Sequence, residues 1–256
     1  VNTNNESFVG WNWKANGGST SSNTDGSITS TTQVNSTAGF SIIQYTGNGV
    51  VSSIGHGLSI KPKFFILKST SIATNWYVYH EDIGADYMMY INLNLAKDTS
   101  VTTPWNDTAP TSSVISLMST GYGGNNSGED YLIYAWHEVE GFSKFGSYTG
   151  NGSADDGPFI YTGFKPRWIM FKETGNSNDW PIWDSARFPL NPTNNSLFAD
   201  LSQGDNGSSI DLDVLSNGFK CRTNNSQINR SGGSYIYMAF AEHPFVGDGT
   251  NPVTAR

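Results

Sequence analysis

Tyr45-Thr46-Gly47-Asn48-Gly49 returns as Tyr148-Thr149-Gly150-Asn151-Gly152, an offset of 103 residues. Further along, Lys61-Pro62-Lys63-Phe64 returns as Lys165-Pro166-Arg167-Trp168 at an offset of 104. Lys68 then matches Lys172, Asn75-Trp76 matches Asp179-Trp180, and Tyr79-His80 matches Trp183-Asp184. Ser127-Gly128, Tyr131, Ala135 and Glu138 match Ser231-Gly232, Tyr235, Ala239 and Glu242. Matches spread over the chain at a nearly constant offset mark an internal repeat, and a period near 104 is too long for a solenoid. The expectation is two tandem domains, 39–142 and 143–246, preceded by residues 1–38 and followed by a tail, 247–256.

The repeated segments read as strands. Phe64-Phe65-Ile66-Leu67 and Trp168-Ile169-Met170-Phe171 are short apolar runs that follow a proline and end at a lysine, a length that favours a buried strand over a helix. Tyr131–Trp136 and Tyr235–Phe240 are apolar on both faces, as a central strand between two layers requires. The Gly-Asn-Gly elements supply positive-φ residues and read as hairpin turns; no helix follows to make them a phosphate cradle. Long helical periodicity is absent. The fold class is all-β: two tandem β-sandwich or jelly-roll-like modules.

Composition narrows the function. Charged residues are 14% and aromatics 13% of 256 residues, with 28 glycines, which fits an extracellular or particle-borne β-protein better than a cytosolic enzyme. The net charge is −8 and no Lys/Arg cluster could track a phosphate backbone, so no nucleic-acid partner is expected. No apolar run approaches the ~20 residues of a spanning helix, so membrane insertion is not expected. The chain begins at Val1, which fits a processed chain or a portion of a longer product. Cys221 is the single cysteine and reads as a small buried apolar residue.

The polar residues yield little catalytic pattern. His80-Glu81-Asp82 has the composition of a metal or acid–base site, but His80 aligns with Asp184, and His137-Glu138 and Glu242-His243 do not align through their histidines. Glu138 and Glu242 do align and read as a shared hydrogen bond or ion pair. Asp155, Asp156, Asp211 and Asp213 are candidates for a glycosidase carboxylate pair by residue type only. Loop acids among Gly and Asn have the oxygen ligands calcium takes, against the plainer reading of solvated loops. No catalytic residue, metal or cofactor is assigned. Asn-x-Ser/Thr sequons, among them Asn125, Asn151 and Asn229, follow from composition.

Aromatics that recur in both copies, such as Trp76, Trp180, Tyr131 and Tyr235, are expected in the core. Trp105 lies in the loop-like Thr103–Asp107, opposite Ser209, and Tyr122 is flanked by glycines, so these two are the candidate ligand-binding residues. Ser7–Trp13 resembles the terminal strand Tyr131–His137 and is followed by a Gly/Ser-rich linker. The expectation is that Phe8, Trp11 and Trp13 form the last strand of an upstream copy and pair with a neighbouring protomer as an assembly strand.

Taken in order, Trp-Asn-Trp-Lys at 11–14, Tyr-Thr-Gly-Asn-Gly at 45–49, Gly-His-Gly-Leu at 55–58, Glu-Gly-Phe-Ser-Lys-Phe-Gly-Ser-Tyr-Thr-Gly-Asn-Gly at 140–152, Trp-Asp-Ser-Ala-Arg at 183–187 and Gly-Gly-Ser-Tyr-Ile-Tyr-Met-Ala-Phe-Ala-Glu at 232–242 form a set. The set resembles the tandem repeat domain of unassigned function found in tail-fibre-like virion proteins of marine bacteriophages, over nearly the whole chain. The resemblance implies a non-enzymatic virion-surface structural protein, a tail-fibre or capsid-decoration component outside the cell. Its implied partners are further copies of the chain or other virion proteins, with a host-surface glycan as a candidate ligand. The alternatives are a polysaccharide-degrading phage depolymerase and a secreted bacterial lectin-like adhesion module.

Overall fold

The structure is a computed structural model and describes residues 4–5, 7–98 and 102–242. The first half contributes β1 (Ser21–Asn23), β2 (Ser30–Asn35), β3 (Phe40–Thr46), β4 (Ser52–Gly55), β5 (Phe64–Ser69), β6 (Tyr77–His80), β7 (Met89–Tyr90), β8 (Val114–Leu117) and β9 (Asp130–Trp136). The second contributes β10 (Ser143–Thr149), β11 (Phe159–Tyr161), β12 (Pro166–Glu173), β13 (Pro181–Asp184), β14 (Thr193–Phe198), β15 (Asn206–Leu215), β16 (Gly218–Cys221) and β17 (Ser234–Ala241). A 3-10 turn, Glu81–Ile83, is the one helical element among the described residues. The protein is all-β, as the apolar runs between Gly/Asn turns require.

Seven strands form one antiparallel sheet in the order β1-β2-β3-β9-β5-β6-β7, and β4 pairs with β8 apart from it. Eight form a second antiparallel sheet, β10-β17-β12-β13-β14-β15-β16-β11, which curls into a nearly closed, barrel-like form. Four consecutive strands of each sheet, β3-β9-β5-β6 and β10-β17-β12-β13, have matching order and register. Tyr45 faces Tyr131 across β3 and β9, and Tyr148 faces Tyr235 across β10 and β17. Phe65 faces Ala135, and Ile169 faces Ala239. β9 and β17 each lie between two other strands and face a different apolar layer on each side, which is why both of their faces are apolar.

Side-chain alternation divides the interior into three apolar layers. Ile43, Tyr45, Phe65, Leu67, Tyr131 and Ile133 point from the first sheet toward β4, β8 and Trp105. Ile169, Phe171, Trp183, Leu212, Phe219 and Tyr237 fill the second sheet's interior. The opposite faces meet each other: Phe40, Phe64, Val78 and Trp136 of the first sheet pack with Phe145, Trp168, Met170, Ile182, Met238 and Phe240 of the second. The halves are therefore fused through a shared core rather than strung as separate beads.

Three sequence expectations change here. Residues 7–15 form no strand. Trp13 instead wedges between the sheets, with ring centroids 6.2 Å from Trp136, 5.3 Å from Trp168 and 5.3 Å from Phe240, and Trp11 packs edge-on to Trp168 at 6.2 Å. The aromatic segment thus finds its burial inside its own chain; of the assumed assembly strand, only Phe8 stays mostly exposed, at 55%. Second, the Gly-Asn-Gly elements are not hairpin turns. They carry the chain from β3 to β4 and from β10 toward β11, strands that are not neighbours. Third, Trp76 is 38% exposed, whereas Trp180 is buried as expected.

Candidate functional site

The repeated polar residues converge on the two Gly-Asn-Gly loops. In the first half Asn125, fully buried, accepts the Asn48 N–H on Oδ1 at 2.9 Å and donates from Nδ2 to the Val50 carbonyl at 2.6 Å. In the second, Asn229 accepts from Asn151 N at 2.8 Å and donates to the Ser153 and Thr223 carbonyls at 2.9 and 2.8 Å. Asn48 and Asn151 each accept the N–H two residues on, from Val50 and Ser153, closing an Asx turn. A Cβ on Gly47 would stand 2.3 Å from the Asn126 carbonyl, and one on Gly150 2.4 Å from that of Arg230, so only glycine lets the loops approach. Behind them Tyr45 stacks on Tyr131 and Tyr148 on Tyr235, at 5.2 and 5.0 Å. The Tyr131 and Tyr235 hydroxyls accept the N–H groups of Asn126 and Arg230 at 2.9 and 2.8 Å. Burial pushes the Tyr45 and Tyr148 phenols well above their usual range, which keeps them neutral.

The histidines do equivalent structural work. His80 Nδ1 accepts the Asp82 N–H at 3.1 Å, capping the turn after β6. Asp184 Oδ1 accepts the Ala186 and Arg187 N–H groups at 3.1 and 2.9 Å after β13. The two residue types differ in chemistry but share the role of acceptor. Burial lowers the His80 pKa to about 4, so the ring is neutral and its Nε2 hydrogen points at the Tyr237 carbonyl, 3.4 Å away. His56 Nδ1 takes the Leu58 N–H at 3.1 Å, and burial lowers its pKa too. Cys221 is buried and its thiol is pushed up to about 12 by burial, an inert side chain.

Two of the four acids considered for glycoside cleavage, Asp156 and Asp213, are paired with cations. Asp156 pairs with Lys220 at 2.6 Å, and Asp213 with Arg222 at 3.4 Å, while Arg222 Nη1 also donates to the Asp155 carbonyl and Arg222 N to the Asp211 carbonyl. The hydrogen bond and charge of Lys220 hold the Asp156 carboxyl below its usual range, the opposite of what a general acid needs. Glu138 pairs with Lys63 and Lys144 at 3.3 and 2.8 Å, and Glu242 with Lys165 and Arg167 at 2.6 and 3.5 Å. Among the described residues no group of three or more His, Cys, Asp or Glu could hold a metal ion. His243 and the tail 247–256 lie outside the described residues.

Of the two proposed ligand-binding residues, Trp105 is a correction. It is fully buried, packs edge-on to Phe65 and Tyr79, and its Nε1 donates to the Ala85 carbonyl at 2.8 Å, so it is core and cannot meet a ligand. Tyr122 is 38% exposed, in a loop whose next residue, Gly123, lies against the Tyr77 ring. Sequence reasoning missed Asn125 and Asn229, although both stand at the repeat offset, two residues before the recognised Ser127 and Ser231 positions.

A family model described as a domain of unknown function, DUF7483, matches residues 1–244. The chain belongs to this family. A comparison with curated proteins and with solved structures finds no match. The DUF7483 match takes in both sheets and the N-terminal segment that Trp13 anchors between them, so the family's unit spans the fused pair.

Proposed function

We propose that this DUF7483 chain is a non-enzymatic structural component of a virion surface, of the tail-fibre or capsid-decoration kind. The observation that carries the reading is the use of the repeated polar residues. Asn125 and Asn229, His80 and Asp184, and Glu138 and Glu242 hold turns and loops or form ion pairs at the sheet ends. Repetition in this chain preserves a framework, and a framework is what a display or decoration protein repeats. On this reading residues 39–142 and 143–246 are tandem β-sandwich-like copies of one module, and the second has become more barrel-like. The likeness to tail-fibre-like repeat domains supplies the virion setting and the partners, further copies or other virion proteins. Tyr122, exposed between glycines, is the remaining candidate for stacking on a host-surface sugar.

Density for intact particles, with the chain placed by labelling, tests the proposal. The expected result is repeated copies on the outer surface. Incubation with host surface polysaccharide should release no oligosaccharide; turnover that is lost on mutating a single carboxylate would move the protein to the depolymerase class. Tyr122→Ala should reduce particle attachment if the loop meets the host, and leave folding unchanged.

A further inference from the structure

Trp76 and Trp180 stand in closely similar local frames. The Trp76 N–H bonds to Asn92 Oδ1 at 2.9 Å and its carbonyl accepts from Ile91 N at 3.1 Å. The Trp180 N–H bonds to Asp200 Oδ1 at 3.0 Å and its carbonyl accepts from Ala199 N at 3.0 Å. A lysine ammonium from the preceding strand lies near each ring, Lys68 at 6.0 Å and Lys172 at 5.9 Å.

Their outer surroundings differ. Residues 90–97 of the first half cover the second half's platform. Trp180 Nε1 donates to the Tyr90 and Leu93 carbonyls at 2.9 and 3.2 Å, Lys172 Nζ donates to the Asn94 carbonyl at 3.0 Å, and Lys97 N donates to the Thr174 carbonyl at 2.9 Å. Trp180 is thereby left 1% exposed. Trp76 is 38% exposed, Ile72 in the same loop is 39% exposed, and among the described residues Lys68 Nζ bonds within its own loop, to Thr74.

The second half has its own version of the covering segment. Because Asp200 holds Trp180 as Asn92 holds Trp76, Asn92-Leu93-Asn94-Leu95 aligns with Asp200-Leu201-Ser202-Gln203. Leu201 is half-buried and residues 202–205 are exposed. Among the described residues the chain therefore carries a tryptophan–lysine platform without a cover and a covering segment that is open to solvent, and it also contains a completed example of the contact the two would make.

We propose that the two open elements meet between molecules: residues 201–204 of one copy of the chain lie across Trp76 and Lys68 of a second copy. Backbone carbonyls of the segment take the Trp76 Nε1–H and an ammonium hydrogen of Lys68, as the Tyr90, Leu93 and Asn94 carbonyls do at Trp180 and Lys172. Platform and segment are different surfaces, so the contact is heterologous. Each copy offers one of each, and association runs head to tail into a ring or a filament rather than stopping at a twofold dimer.

The test is sedimentation velocity of the full chain over a concentration series, with Trp76→Ala and Ser202→Lys variants, both at exposed positions, whose folding is checked by thermal melts. The wild type should associate with increasing concentration. Each variant alone should associate at least about tenfold more weakly, since an interface tryptophan is a common hot spot and a lysine at 202 would face Lys68. An equimolar mixture should form two-chain species and nothing longer, because Trp76→Ala keeps its segment and Ser202→Lys keeps its platform. A wild type that stays monomeric at the highest concentration reached, association indifferent to both variants, or a mixture that fails to pair would each overturn the proposal.

Discussion

The pair Trp76 and Trp180 allows one substitution to be made twice in one molecule with different expected costs. Trp180 is 1% exposed, its ring lies in the layer between the sheets, and its Nε1 serves two carbonyls. A buried tryptophan removes on the order of 200 Å² from water, worth about 5 kcal/mol at 25 cal/mol per Å². Trp180→Ala should therefore cost about 3–5 kcal/mol, the range for large core truncations, and lower the melting temperature by on the order of 10 °C. Trp76→Ala removes a ring that is 38% exposed, and water can enter the vacated site, so it should cost about 1–2 kcal/mol. Urea unfolding of both variants, followed by far-UV circular dichroism at a concentration where the wild type is monomeric, measures the difference. Equal costs within about 0.5 kcal/mol would mean that the cover of residues 90–97 over Trp180, and its lack over Trp76, makes no energetic difference.

Three further expectations follow from the same geometry. Asn229→Ala removes the acceptor for the Asn151 N–H and the donor to two carbonyls, and should cost about 1–3 kcal/mol by chemical denaturation, with Asn229→Asp no rescue because the donor is still lost. His80 has a folded pKa of about 4, below its unfolded value near 6.5, so its neutral form is favoured by folding. The stability it contributes is complete above pH 6.5 and is lost as pH falls from 6.5 toward 4, on the order of 3 kcal/mol; His80→Asn, which keeps an acceptor for Asp82 N, should flatten that part of the stability–pH curve. Trp13→Ala should destabilise the fused pair by about 2–4 kcal/mol and raise binding of a hydrophobic dye, because Trp136, Trp168 and Phe240 lose their shared cover; an unchanged melt would separate the N-terminal segment from the core.

The centre of the fold was legible because repetition and alternation report on local environment. Tyr131–Trp136 and Tyr235–Phe240, apolar on both faces, read as strands covered on both sides, and β9 and β17 each lie between two other strands. The Gly-Asn-Gly elements were visible but their purpose was not. Glycine and asparagine favour turns of many kinds, and what distinguishes these loops is a close approach to Asn125 or Asn229, some 78 residues away in the chain. Those two asparagines sit inside sequons in a chain full of Asn and Ser, so composition hid them. Trp105 was misread for a related reason. Its neighbours Thr103, Pro104, Asn106 and Asp107 describe an irregular backbone accurately, but irregular backbone can still insert a ring into a core, and the Ala85 carbonyl satisfies the indole N–H there. The candidate histidines illustrate the converse: a change from His80 to Asp184 between copies argues against shared catalysis, and it leaves intact the simpler shared property of accepting a backbone N–H.

The asymmetry between the halves has a source that is visible in chain length. From His80 to Ile91, which returns to bond the Trp76 carbonyl, the chain takes eleven residues; from Asp184 to Ala199, which does the same for Trp180, it takes fifteen. The shorter connection in the first half is also the more apolar. It places Ile83, Met89, Tyr87 and Ile91 in the layer between the sheets and carries 90–97 onto the second half. The longer one in the second half is polar. It forms β14, which pairs with β13 and β15 and so links β16 and β11 into the barrel-like sheet. Residues committed to that sheet do not extend across the first half as 90–97 extend across the second. A local frame can thus recur faithfully, tryptophan, lysine and capping oxygen included, while the difference in the connecting segment decides that one tryptophan is core and the other faces solvent. The same difference leaves the molecule two unlike exposed surfaces, the Trp76 platform and the 201–204 segment, a property a chain needs if copies of it are to join in a direction.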